Sequence, residues 1–61
     1  MIIHLGASSG IGAGTAIYLA KNGAKLALAG RKEENLKIIA AKCEEINPSK
    51  EKVEILVNHI E

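Results

Sequence analysis

The spacing of apolar residues changes from segment to segment along this chain, and each change predicts an element boundary. Ile2, Ile3 and Leu5 form a short run stopped by Gly6, the pattern of a buried strand that begins almost at the first residue. After a glycine-rich turn, residues 11 to 21 carry Ala16, Leu19 and Ala20 at helical spacing, with Asn22 and Gly23 as a C-terminal stop. Such a helix shows a small-residue face and can lie close against a sheet. "KLALA", residues 25 to 29, alternates Leu26 and Leu28 with Ala27 and Ala29, which predicts a second strand ended by Gly30 and Arg31. From about Lys32 to Ile46, Leu36, Ile39, Ala40, Cys43 and Ile46 recur at three and four with charges opposite, and Asn47-Pro48 closes this second helix. Beyond the polar turn "PSKEK", Val53, Ile55 and Val57 alternate with Glu54, Leu56 and Asn58, the period of a third strand with one buried face.

Strands alternating with helices predict an α/β fold with a parallel three-stranded sheet, and the right-handed crossover rule fixes where the helices lie. In spatial order 3-2-1, as in one half of a dinucleotide-binding fold, both helices cover one face and the other is bare. Residues 1–61 therefore read as a partial, Rossmann-like dinucleotide-binding domain, strand-helix-strand-helix-strand, without internal repeat, linker or domain boundary. The bare face is expected to expose Leu, Ile and Val and to permit self-association. A 61-residue chain buries only about 60% of the surface it exposes unfolded, so its stability alone is expected to be marginal.

Composition narrows the partners. Hydrophobic residues make up 48% and charged ones 25%, with no Trp or Phe and Tyr18 as the lone aromatic, so the core must come from Leu, Ile, Val and Ala. Eight basic against seven acidic residues leave a charge of +1, with no basic stripe interleaved with aromatics, which argues against a nucleic-acid partner. Cys43 stands alone and can form no internal disulfide, in keeping with a reducing compartment. No apolar run approaches the roughly 18 residues of a membrane span, and the N-terminus lacks the features of a signal peptide. The expectation is a soluble, cytoplasmic protein with no membrane partner.

The candidate chemistry lies in "HLGASSGIGAG", residues 4 to 14. A glycine turn between strand and helix suits phosphate binding, because the first N–H groups of a helix lack partners and carry the positive end of its dipole. Gly6 can take the backbone angles that reverse the chain, Gly10 and Gly12 leave room for a pyrophosphate and a neighbouring strand, and Ser8 and Ser9 offer hydroxyls. The alternative is a tight turn whose small residues serve packing alone. The spacing is not G-x-G-x-x-G, since Thr15 stands where the last glycine would be, and no Lys-Ser or Lys-Thr pair follows to make a P-loop.

"GASSGIG", the helix after it, "NGA" and then "LALAGRKEENL" resemble the N-terminal cofactor-binding part of the short-chain dehydrogenases/reductases. The resemblance covers essentially the whole chain. It departs from the family at Leu5, where a Thr usually precedes the turn. It implies a nicotinamide cofactor and the cofactor-binding set Gly6, Ser8, Ser9, Gly10, Ile11, Gly12 and Arg31.

The end of the second strand bears on which nucleotide is held. About 20 residues beyond its glycines, an NAD-binding unit presents an acid to the adenosine ribose. Here Ala29, Gly30, Arg31 and Lys32 provide none, and Arg31 can make a forked contact with a 2′-phosphate. In the resembled family this "GR" implies NADP(H) over NAD(H). The plainer reading makes Arg31 and Lys32 a solvated pair neutralised by Glu33 and Glu34.

The family's catalytic Ser and its Tyr and Lys four apart lie beyond position 61, so no catalytic residue is expected in this chain. Tyr18 is followed by Lys21 at three and reads as a packing or rim residue. His4 and His59 lack partners at metal-ligand spacing, Cys43 reads as a core residue, and Glu44, Glu45, Lys50, Glu51 and Lys52 as a solvated face. Two readings stand: the N-terminal segment of an NADP(H)-dependent oxidoreductase, or a truncated, non-catalytic remnant that binds nucleotide weakly at most.

Overall fold

The computed structural model describes residues 2–6 and 10–58. Along them run β1 (Ile2–Gly6), α1 (Gly10–Lys21), β2 (Lys25–Gly30), α2 (Glu33–Ile46) and β3 (Glu54–Val57). The strands form one parallel sheet in the order β1-β2-β3. This is the predicted architecture, with the sequence-based boundaries met to within one residue at nearly every end.

The register explains which side chains meet. Ile3 lies beside Leu26 and Leu5 beside Leu28, while Leu28 lies beside Ile55 and Gly30 beside Val57. Ile3, Leu5, Ile55 and Val57 join the helix-bearing face, where Leu26, Leu28, Leu36, Ala16, Ala20, Ala40 and Cys43 form the buried core. Ala16 and Ala20 are the buried positions of α1, so a surface without bulk lets that helix sit close to both the sheet and α2. The stripe of α2 behaves as its spacing predicts at Leu36, Ala40 and Cys43, but it ends in an exposed Ile46. Glu33 and Glu34 in the first turn of α2 oppose its dipole, and Glu33 pairs with Lys37 one turn on at 3.1 Å. Both partners are largely exposed, so the pair contributes about 0.3–0.5 kcal/mol.

The opposite face is uncovered, and its content differs from the expectation. Among the described residues its exposed large apolar side chains are Ile2 and Leu56, with no valine. His4, Lys25 and Glu54 make the rest of that face polar. Valine falls on the helix side because Val53 and Val57 share the parity of Ile55. Ala27 is buried even here, since its small side chain lies on the central strand between His4 and Glu54 in register.

At the amino-terminal end of the sheet the chain is tied by hydrogen bonds. The α1 terminus is a Schellman turn: Gly23 N–H donates to the Ala20 carbonyl at 2.9 Å and Ala24 N–H to the Leu19 carbonyl at 3.1 Å. Gly23 takes φ +87°, a conformation that costs a side-chain-bearing residue about 1–2 kcal/mol. Asn47, only 2% exposed, holds the next connection. Its Nδ2 donates to the Ala24 carbonyl at 3.1 Å, and its Oδ1 accepts the Ser49 N–H at 2.9 Å and the Glu51 N–H at 3.4 Å. One side chain thus joins the loop before β2 to the loop before β3.

The charged residues around this loop are more than a solvated face. Glu44 Oε2 accepts the Val53 N–H at 3.0 Å, Glu51 pairs with Lys25 at 3.7 Å, and Lys50 Nζ donates to the Glu45 carbonyl. Helical spacing put Glu44 opposite the apolar stripe, but the returning loop brings the Val53 amide to it.

Candidate nucleotide-binding turn

The carboxyl-terminal ends of all three strands lie along one edge of the sheet, because each strand runs the same way. Gly6, the last residue of β1, is in register with Ala29, and Gly30 with Val57. Arg31 follows directly, and Asn58 N–H donates to the Gly30 carbonyl at 2.7 Å, which fixes the ends of β2 and β3 together. Parallel strand order therefore brings Gly6, the Gly10 end of α1 and Arg31 to the same side of the molecule. Ligands of open α/β sheets bind at this edge.

A Cβ built on Gly6, Gly10 or Gly14 meets nothing within 4 Å. Gly6 is the last residue of β1, and the described glycine with positive φ is Gly23. Ser8 and Ser9, expected to contribute hydroxyls, lie outside the described residues.

Electrostatically the two helix starts differ. The first turn of α1 holds no acidic residue, so nothing of its own opposes the positive end of the dipole. Ile11 in this turn is 86% exposed, while Gly12 is half-buried. Thr15, at the place of the missing third glycine, turns its Oγ1 back to the Ile11 carbonyl at 3.0 Å. Leu5, where the resembled family has Thr, joins the partly buried side chains around the core.

Arg31 and Lys32 are both exposed. The ion pairing that the plainer reading would allow does not form: Glu33 turns to Lys37, and Arg31 has no ionic partner among the described residues. Lys32 occupies the N-cap position of α2 without a capping side-chain bond.

The remaining candidates fall away from this edge. Tyr18 and Lys21 are exposed on α1, with Tyr18 about 12 Å along the helix axis from Gly10 at about 1.5 Å per residue. His4 lies on the uncovered sheet face, and His59 lies outside the described residues. Cys43 is fully buried, and desolvation, with a smaller contribution from Glu44, pushes its thiol pKa above the ordinary 9.0. Sequence reasoning missed Asn47 and Asn58 as structural donors. Asn47 carried one signal, its place before Pro48 at a helix end, while Asn58 carried none. Among the described residues no helix is long and apolar enough to cross a membrane.

A parallel strand-helix-strand-helix-strand unit with glycines at the end of β1 and the start of α1 has the architecture of half a dinucleotide-binding fold. The chain belongs to the short chain dehydrogenase family, whose sequence profile matches residues 1–60. That family consists of oxidoreductases that use nicotinamide cofactors. Over 39 residues the chain is 62% identical to the uncharacterized oxidoreductase Lin0452 of Listeria innocua. It is 59% identical over 39 residues to the uncharacterized oxidoreductase Lmo0432 of Listeria monocytogenes. Each match takes in 64% of this chain and 16% of the relative.

Proposed function

We propose that this chain is the NADP(H)-binding N-terminal unit of a short-chain dehydrogenase/reductase that moves a hydride between the nicotinamide and a carbonyl or alcohol. The observation that carries the reading is the meeting, at one sheet edge, of side-chain-free positions and a guanidinium with no ionic partner among the described residues. Gly6 and Gly10 border open space, the first turn of α1 is without acid, and Arg31 extends from the end of β2 with no carboxylate beside it in sequence before Glu33.

In this reading the N–H groups at the start of α1, from Gly10, Ile11 and Gly12, receive the pyrophosphate, with Gly6, Ser8 and Ser9 completing the turn. The dipole of α1 favours the negative charge, and the absent side chains let the oxygens approach the backbone. Arg31 contacts the 2′-phosphate of the adenosine ribose, a place at which an NAD-specific unit presents an acid. The nicotinamide supplies or accepts the hydride; this chain's described residues bind and orient.

Titration of the folded protein with NADPH and with NADH tests the assignment. NADPH is expected to bind at least tenfold more tightly, and Arg31→Ala to remove most of that preference. A charge-assisted contact of about 1.5–3 kcal/mol corresponds to roughly ten- to a hundredfold. Tighter binding of NADH by the unaltered protein overturns the NADP(H) assignment; binding of neither coenzyme overturns the site.

A further inference from the structure

We draw no further inference here: the strongest candidate, the uncovered face of the sheet bearing Ile2, His4 and Leu56 together with the outer edge of β1, carries nothing because nothing in the structure shows what covers it.

Discussion

At the amino-terminal end of the sheet, Asn47 ties Ala24, Ser49 and Glu51 together and Gly23 closes α1, whereas at the carboxyl-terminal end Gly6 and Gly10 border open space and Arg31 stands in solvent. The same kind of residue does opposite work at the two ends. Gly23 is needed for its own backbone, at φ +87° in a turn that satisfies helix carbonyls. Gly6 and Gly10 satisfy no such local demand, and neither relieves a clash. The contrast teaches that one end uses its special residues to hold the chain, while at the other a Cβ on Gly6 or Gly10 meets nothing within 4 Å.

The helix starts and stops show the same division. Glu33 and Glu34 occupy the first turn of α2, so that helix offsets its own dipole. Nothing acidic does this for α1. A phosphate at the start of α1 would fill the role that Glu33 and Glu34 fill for α2.

The largest test of this division is Gly10→Leu. At the first position of α1 a Cβ meets nothing within 4 Å, so the unfolding midpoint should stay level or rise slightly. Coenzyme affinity should fall by about a hundredfold, or roughly 2.7 kcal/mol, because the side chain fills the phosphate's approach. Isothermal titration beside a denaturant curve separates the two readouts, and unchanged affinity would leave the turn without a ligand.

The reverse pattern is expected at the other end. Asn47→Ala strands the Ala24 carbonyl and the Ser49 and Glu51 amides, at a cost of about 1–3 kcal/mol for buried polar groups left unpaired. Urea unfolding should show that loss, while coenzyme affinity of the protein that remains folded stays within about twofold. A loss of affinity comparable to that of Gly10→Leu would mean the two ends are not independent.

Gly14→Ala is a milder probe of α1. Position 14 is exposed within the helix and a Cβ there meets nothing, so the change should stabilise by about 0.5–1 kcal/mol. Thermal unfolding measures it, and destabilisation would show that Gly14 serves a contact not made within this chain.

The smallest effect concerns the core that the two ends share. Burial raises the Cys43 pKa, so the folded state keeps its proton where the unfolded chain releases it. The contribution of this thiol is fully present below the unfolded value of 9.0 and is lost as pH rises above it through the folded pKa. Stability followed from pH 8 to about 10.5 should fall more steeply than in Cys43→Ala. Equal slopes would remove Cys43 as the cause.

Much of this molecule is legible in its amino acids alone. Periodicity gives the helix of Leu36, Ala40 and Cys43, and alternation gives Leu26 and Leu28 their common face, because both periods follow from backbone geometry within one segment. Asn22 and Gly23 announce the end of α1 for the same local reason. The glycine motif also announces a turn, and family membership rests on residues that can be read in order.

Tertiary structure alone decided what residues distant in the chain do to one another. Asn47 could be read as a helix stop, but its bond to Ala24 depends on two loops meeting across 23 positions. Glu44 could be read as solvated, until the returning strand set the Val53 amide against it. That Gly6, Gly10 and Arg31 share an edge is likewise a consequence of parallel pairing, which no single segment encodes. A segment's dihedral preferences determine its own shape; which backbone group or charge stands opposite a side chain is settled only when non-adjacent segments are brought together by burying their apolar faces.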